Sequence, residues 1–159
     1  MKKKAIIISI KGCKLTKKEI HLLVNEKPWG LILFKRNIES IKQIIILIKN
    51  IRRLTKDSKF PILIDEEGSS VSRIRNIISH NFSQKFFGDV YKFNNKDSIL
   101  YYKDYINSLT FLLKTIGINI NTCPVLDVLQ KSTSKIIGNR SFSDNPKIVK
   151  TLGQICVKQ

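Results

Sequence analysis

Residues 61–73 read PILIDEEGSSVSR, a short apolar run that ends in three carboxylates, a Gly/Ser turn and an arginine. A run of this length and composition is typical of a buried strand in a parallel sheet. Ligands of α/β folds bind at the carboxyl ends of such strands. The segment therefore predicts a functional site that starts at Asp65, and its polar side chains favour a hydroxyl-rich ligand.

Apolar runs and helix-period stripes alternate along the rest of the chain. The longest stripe lies between Ile38 and Leu54, where isoleucine and leucine recur every three or four residues. Strands that are separated by helices join through right-handed crossovers into a parallel sheet. Residues 66–96 show no sustained periodicity, which predicts a long loop, and loops of that length tend to be functional. The predicted strands are residues 5–10, expected to be buried, 29–34, 61–65 and 118–121, and the predicted helices are residues 16–25, 38–54, 97–115 and a last one that begins near Lys147.

The composition bounds the class of protein. The 159 residues carry 29 Lys+Arg against 12 Asp+Glu, a formal charge of +17, and 42% of them are hydrophobic. That length and hydrophobic fraction suffice for one domain with a core and exclude a disordered chain. The positive charge alone suggests nucleic acid or an anionic surface as a partner. The lysines are scattered, however, and few stand beside aromatic residues that could stack on bases, so we expect neither nucleic acid nor a membrane as a partner.

The cysteines and the N-terminal residues favour a cytoplasmic protein. Cys13, Cys123 and Cys156 are widely spaced and form no CxxC motif, which predicts neither a disulfide framework nor a zinc site. Residues 1–10 mimic the start of a signal peptide, but the apolar run is only six residues long, and a first strand is the better interpretation. No segment approaches the ~20 apolar residues of a transmembrane helix.

Asp65, Glu66 and Glu67 allow several interpretations from their chemistry alone. They could be paired carboxylates of a glycosidase, ligands of a divalent cation, acceptors for sugar hydroxyls, or a solvated strand exit. Arg73 follows closely enough to fold back and pair with Glu67. Arg140 lies in a later loop, where a surface position is the commoner outcome for an arginine.

No cofactor or metal is expected from the remaining motifs. His21 and His80 have no partner at metal-ligand spacing. The GxSxG, P-loop and GxGxxG motifs are absent from the sequence, so hydrolase-elbow and nucleotide-binding interpretations have no local support.

Four segments stand in one order along the chain: GLILFKRN at residues 30–37, IDEEG at 64–68 with Arg73, PVLDV at 124–128 and GNRSF at 138–142. Together they resemble the N-terminal half of family 3 glycoside hydrolases, of the bacterial β-N-acetylhexosaminidase type that acts in cell-wall recycling. Each motif alone is modest. Their joint order and spacing are specific, and the resemblance covers nearly the whole chain.

The resemblance implies an α/β fold, the incomplete N-terminal portion of a TIM-like (β/α)8 barrel, over residues 1–159. It implies a cytoplasmic glycosidase that removes terminal N-acetylglucosamine from peptidoglycan-derived fragments with retention of configuration. Asp65, Arg73 and Arg140 would hydrogen-bond hydroxyls of the bound sugar. The family's His/Asp acid/base pair and Asp nucleophile are expected beyond Gln159. The chain alone is therefore predicted to be inactive, with a complementary C-terminal half as a candidate partner.

Two departures from the family pattern bear on sugar binding. Glu66 stands where the family usually has Gln, which adds a negative charge beside the site. Ser69 and Ser70 stand where it usually has Gly-Arg, which removes flexibility and a cation. Either change could weaken sugar binding, so one alternative is a decayed, non-enzymatic sugar-binding remnant. A basic nucleic-acid-binding protein is the second alternative.

Overall fold

The computed structural model describes residues 3–159, and the chain divides into two compact units. Met1 and Lys2, at the head of the signal-like start, lie outside the described residues. The first unit holds residues 3–66, 73–79 and 113–122, and the second holds residues 67–72, 80–112 and 123–159. The strands are β1 (Lys4–Ile8), β2 (Pro28–Leu33), β3 (Ile62–Ile64) and β4 (Ile120–Asn121), and the helices are α1 (Lys17–His21, continued by a π-helical turn over Leu22–Glu26), α2 (Ile41–Thr55), α3 (Gln84–Phe93), α4 (Asn95–Ile116) and α5 (Pro146–Lys158).

The first unit is built on a four-stranded parallel sheet with the strand order β1-β2-β3-β4. Leu31 of β2 stands beside Ile62 of β3, and Leu63 of β3 stands beside Ile120 of β4. Neighbouring strands follow one another in the sequence with helices between them, which is the strand order of a (β/α) barrel. The predicted parallel α/β fold is therefore confirmed.

Helix α2 buries the central part of the long apolar stripe that was predicted from the sequence, whereas Ile41 at its start is 45% exposed. It begins after Ser40, whose side chain accepts a hydrogen bond from the backbone N–H of Gln43 at 3.2 Å. Helix α1 likewise begins at a capping box, in which the side chains of Thr16 and Glu19 bond each other's backbone N–H. The buried residues of α2 are Ile44, Leu47, Ile48 and Ile51.

Strand β1 corrects one prediction, because the run of residues 5–10 was expected to be buried. Four of its five residues are exposed, and Ile6 and Ile7 retain 52% and 44% of their surface. β1 lies at the edge of the sheet and pairs with β2 alone among the four strands. An apolar run indicates a strand, but it does not distinguish an edge strand from a central one.

The second unit has a core of aromatic and aliphatic side chains from α3, α4, α5 and the segment before α5. Helix α3 corrects the prediction of a long loop over residues 66–96. Ser83 caps this ten-residue helix by accepting the N–H of Phe86. The buried face of α3 consists of only Gln84, Phe87 and Gly88. Because none of these residues is a leucine or isoleucine, the sequence shows no apolar stripe that would predict the helix. The core residues are Phe87, Tyr102, Ile106, Phe142, Ile148, Val149 and Leu152.

Helix α4 is the longest element, with 22 residues. Charged side chains recur along it, among them Lys96, Asp104 and Lys114. Within residues 3–159, no helix combines the length and the apolar character that are needed to cross a membrane.

Candidate functional site

Asp65 is the first residue after β3, at the carboxyl end of the sheet, and both of its carboxylate oxygens are held. Thr122 Oγ1 donates to Oδ1 at 2.6 Å, and Arg73 Nη2 donates to Oδ2 at 3.3 Å. Thr122 directly follows β4, the neighbouring strand, so two adjacent strand exits supply these groups. The Asp65 side chain remains 26% exposed, which leaves an oriented carboxylate accessible to a ligand.

Glu66 is buried and organises the chain around Asp65. Its Oε2 accepts the backbone N–H of Arg73 at 2.7 Å and that of Ile74 at 3.2 Å. The Glu66 backbone is bonded in turn to the Asn121 side chain, whose Oδ1 accepts from the N–H and whose Nδ2 donates to the C=O, both at 3.0 Å. Hydrogen bonds to an ionised carboxylate are stronger than neutral ones. These bonds therefore fix the backbone of Arg73 where its side chain reaches Asp65.

Two guanidinium groups pack against the ring of Phe34, which directly follows β2. The Arg36 Cζ lies 4.6 Å from the centre of the Phe34 ring, and the Arg73 Cζ lies 5.5 Å from it. Both distances are within the range of cation–π attraction. Arg36 is further anchored by hydrogen bonds from Nε to the carbonyl of Ile10 at 3.1 Å and from Nη2 to Ser9 at 3.2 Å. The Phe34 ring thus supports the guanidinium of Arg73 beside Asp65.

Asn37, the last residue of the GLILFKRN motif, has a structural role. It is completely buried, and its Nδ2 donates to the carbonyls of Ile10 and Gly12, both at 3.0 Å. Its Oδ1 accepts the backbone N–H of Phe34 at 2.9 Å. The side chain therefore joins the segments that leave β1 and β2, and it satisfies backbone groups that would otherwise be buried without partners.

Glu67 and Arg140 form a bidentate ion pair in the second unit. Arg140 donates from Nε to Oε2 at 2.7 Å and from Nη2 to Oε1 at 2.9 Å. The Glu67 side chain is only 8% exposed, whereas that of Arg140 is 25% exposed. A carboxylate with so little access to water requires such a partner, because an unpaired buried charge is costly. Arg140 thus has a structural role in this unit, in addition to any contact with a ligand.

The turn after Glu67 has a left-handed backbone at two consecutive residues. Gly68 has a φ of +88°, and Ser69 has a φ of +44°. The turn is closed by the Glu67 N–H, which donates to the carbonyl of Val71 at 3.0 Å. Left-handed backbone suits glycine but is strained for most other residues. Ser69 therefore holds a conformation for which the Gly of the family pattern is better suited.

The structure divides the three predicted sugar-binding residues between the units. It brings Asp65 and Arg73 together in the first unit, and it places Arg140 beside Glu67 in the second. The sequence allowed Arg73 to fold back and pair with Glu67, and in the structure its side chain pairs with Asp65. Sequence reasoning missed Thr122, although its position directly after a predicted strand, like that of Asp65, was an available signal.

The histidines have other neighbours. His21 Nδ1 is hydrogen-bonded to Asn25 at 2.8 Å, and His80 stacks against Phe82 and meets the edge of Tyr105. In the described part of the chain, no group of three or more His, Cys, Asp or Glu side chains is arranged to hold a metal ion. The cation-ligand interpretation of the three carboxylates therefore gains no support from these residues.

The sequence is similar to curated hexosaminidases. The chain is 30% identical to a β-hexosaminidase of Thioalkalivibrio sulfidiphilus over 151 residues, which are 92% of this chain and 42% of that protein. It is 34% identical to a β-hexosaminidase of Haemophilus ducreyi over 140 residues, which are 87% of this chain and 39% of that protein. The chain thus spans less than half the length of either relative.

The fold is similar to that of NagZ from Neisseria gonorrhoeae, whose crystal structure in complex with zinc ion superposes with a TM-score of 0.87 and 29% identity, over 97% of this chain and 46% of that one. A structure of the same protein in complex with N-trifluoroacetyl-D-glucosamine gives a TM-score of 0.86 and 28% identity, with the same coverage. The family described as "Glycosyl hydrolase family 3 N terminal domain" matches residues 2–159. The resemblance seen in the four motifs is confirmed: the chain belongs to glycosyl hydrolase family 3 and is similar to the N-terminal part of its β-hexosaminidases.

Proposed function

We propose that the chain binds the terminal N-acetylglucosamine of a saccharide and that Asp65 and Arg73 form hydrogen bonds with its hydroxyl groups. The observation that carries the proposal is the partly exposed Asp65 carboxylate, which Thr122 and Arg73 orient at the end of β3. A carboxylate accepts hydrogen bonds from sugar hydroxyls, and a guanidinium donates to their oxygens. The complex of the gonococcal relative with N-trifluoroacetyl-D-glucosamine supports the choice of sugar.

For Arg140, we propose the same kind of contact on the ground of the family resemblance. A quarter of its side chain is exposed, and that part could reach a hydroxyl group while Glu67 keeps the guanidinium in place. An Arg140→Lys variant tests this role, because lysine keeps the charge but loses the bidentate geometry. We expect weaker sugar binding, and unchanged affinity in a folded Arg140→Lys variant would argue against a sugar contact.

A titration tests the binding proposal directly. N-acetylglucosamine is added to the 15N-labelled 159-residue chain, and amide shifts are followed by NMR. We expect saturable shifts at the amides of Asp65, Glu66 and Arg73, while amides of α5 stay in place. Shifts that grow linearly without saturation, or that avoid these residues, would show that this sugar is not the ligand of the site.

We also propose that the carboxylates that follow β3 do not act as the nucleophile or the acid/base of hydrolysis. Retaining glycosidases need a nucleophile and an acid/base about 5 Å apart. Each carboxylate after β3 already has protein partners: Asp65 binds Thr122 and Arg73, Glu66 binds two backbone N–H groups, and Glu67 binds Arg140. The resemblance assigns both catalytic groups to a following segment, and a complementary C-terminal half is the partner that this proposal requires.

The chain alone is therefore expected to leave a chromogenic N-acetylglucosaminide intact. Release of the chromophore is followed at neutral pH, with a full-length β-hexosaminidase as the positive control. We expect no release above the rate in buffer. Turnover that is lost in an Asp65→Ala variant would overturn the proposal, because the catalytic groups would then lie within these residues.

For the natural ligand, we propose peptidoglycan-derived fragments and a cytoplasmic location, as the family resemblance implies. A fragment that ends in N-acetylglucosamine should compete with the free sugar in the same titration, and failure to compete would contradict this choice. Cell fractionation tests the location, and recovery of the chain from the membrane or the medium would contradict it.

A further inference from the structure

A groove lies on the surface of the first unit, between α2 and the segment that contains α1. This α1–α2 groove has a volume of about 540 Å³, and its apolar lining includes Leu15, Ile20, Ile46 and Leu54. Ile20 and Ile46 retain 36% and 50% of their surface. Exposed apolar side chains that share one concave surface mark an interaction site.

The apolar surface extends along α2. Leu54 also lines a second hollow, of about 460 Å³, together with Val24 and Phe60. Val24 belongs to the π-helical turn after α1 and is 39% exposed. From Gln43 to Leu54, the groove-lining face of α2 spans about 16 Å, which is the length of three turns of an α-helix. The groove therefore has the length to accept a helix.

Hydrogen bonds within the chain hold the walls of the groove together. Gln43 Nε2 donates to the carbonyls of Cys13 at 2.9 Å and Asn37 at 3.1 Å, which joins α2 to the segment before α1. Glu19 Oε1 in α1 accepts the backbone N–H of Lys11 at 2.7 Å. Walls that are already ordered lower the entropic cost of binding.

The rim of the groove is positively charged. Lys14 and Arg53 line it, and both side chains are exposed. Neither forms an ion pair with another residue of the described part of the chain. Glu39 is the one acidic residue in the lining, and α2 itself contains four cationic residues and no acidic one. Such a rim attracts a partner of negative charge.

We propose that the α1–α2 groove binds an acidic amphipathic helix of a partner protein. The apolar side of that helix lies against Ile20, Ile46 and Leu54, and its carboxylates pair with Lys14 and Arg53. Apolar residues at positions i, i+3, i+4 and i+7 form the ridge that fills such a groove. Nucleic acid supplies negative charge but no such ridge. A second copy of the chain is disfavoured by the mutual repulsion of two molecules that each carry a charge of +17.

The proposal is tested with a fluorescently labelled synthetic peptide of about 14 residues, or four helical turns. The peptide has leucine at positions i, i+3, i+4 and i+7 and glutamate on the opposite side. Its fluorescence anisotropy is followed as the 159-residue chain is added. We expect saturable binding that weakens as the salt concentration rises. A peptide of the same composition in scrambled order, and one with lysine in place of glutamate, should each bind at least about tenfold more weakly.

Two variants of the chain separate the apolar and the charged contributions. Ile46→Ser should weaken binding of the acidic peptide about five- to tenfold, because an apolar contact is lost. Arg53→Glu should also weaken it, and this variant should bind the lysine peptide better than the natural chain does. Lys103→Glu is the matched control, since it makes the same change of charge on an exposed residue of α4 in the second unit and should leave affinity within about twofold. Circular dichroism checks that each variant is folded.

The assignment of the groove to an acidic helix would be overturned by equal binding of the acidic and scrambled peptides, or by unchanged affinity in a folded Ile46→Ser variant. Vesicles of phosphatidylglycerol and a duplex DNA oligonucleotide are titrated in parallel. If either bound and Arg53→Glu abolished that binding, while the acidic peptide did not bind, the partner would be rich in phosphate and the proposal would be wrong. The inference is independent of the sugar site, and the peptide titration gives a result whether or not the chain binds a sugar.

Discussion

Replacing Glu66 with alanine is expected to lower the free energy of unfolding by about 3 kcal/mol and to weaken binding of N-acetylglucosamine. The carboxylate is completely buried and accepts two backbone N–H groups, those of Arg73 and Ile74. A hydrogen bond to a charged group contributes about 1.5–3 kcal/mol, and buried donors that lose their acceptor carry a further penalty. Removal of a buried charge offsets part of this loss. Sugar binding should weaken because Arg73 loses its backbone anchor.

Glu66→Gln is the matched control for this variant, since glutamine is the residue of the family pattern. The amide retains one oxygen that can accept the Arg73 N–H, and it removes the buried charge. We expect Glu66→Gln to stay within about 1 kcal/mol of the natural chain in urea unfolding and to bind the sugar at least as well. If Glu66→Ala proved as stable as Glu66→Gln, the carboxylate would not be the anchor of this segment.

Gly88→Ala is expected to destabilise the second unit by about 3 kcal/mol or more, or to prevent its folding. Gly88 lies inside α3, against the backbone of Phe142. A Cβ at this position would stand 2.7 Å from the carbonyl carbon of Phe142 and closer still to its oxygen. Backbone atoms cannot rotate away as a flexible side chain can, so α3 would have to move off the core to which Phe87 belongs.

Gly12→Ala provides the comparison for this prediction. No heavy atom lies within 4 Å of a Cβ built on Gly12, so the added methyl group meets open space. Urea unfolding followed by circular dichroism should show Gly12→Ala within about 0.5 kcal/mol of the natural chain. Equal stability of the two variants would mean that α3 does not approach Phe142 as closely as the structure shows.

Most of the elements could be predicted because their signals are local and strong. The predicted strand 61–65 contains β3, and the predicted helix 38–54 largely coincides with α2, since apolar runs and helix-period stripes reflect burial directly. Helix α3 was missed for the opposite reason. Its buried face includes Gly88, which weakens the helical signal, and its main apolar contact is the single side chain of Phe87.

The position of the candidate site could be predicted from the sequence, but the hydrogen-bond partners of Asp65 could not. Asp65 was expected at a strand exit, and it lies there. Its partners come from Thr122 after β4 and from Arg73, which returns to the strand exit through the hydrogen bonds of the buried Glu66. The contact with Thr122 joins residues that are 57 positions apart, and no local pattern specifies which of the three carboxylates Arg73 pairs with.

The affinity of the Asp65→Asn variant for N-acetylglucosamine, compared with the natural chain, is the most direct test of the proposed sugar site. Asparagine has nearly the same shape but no charge, and the loss of charged hydrogen bonds is expected to weaken binding roughly 10- to 100-fold. Asp57→Asn serves as the control, because Asp57 pairs with Lys3 and lies before β3 rather than after it. Equal affinity of Asp65→Asn and the natural chain, with an unchanged amide spectrum elsewhere, would contradict the assignment of Asp65 as a sugar-binding residue.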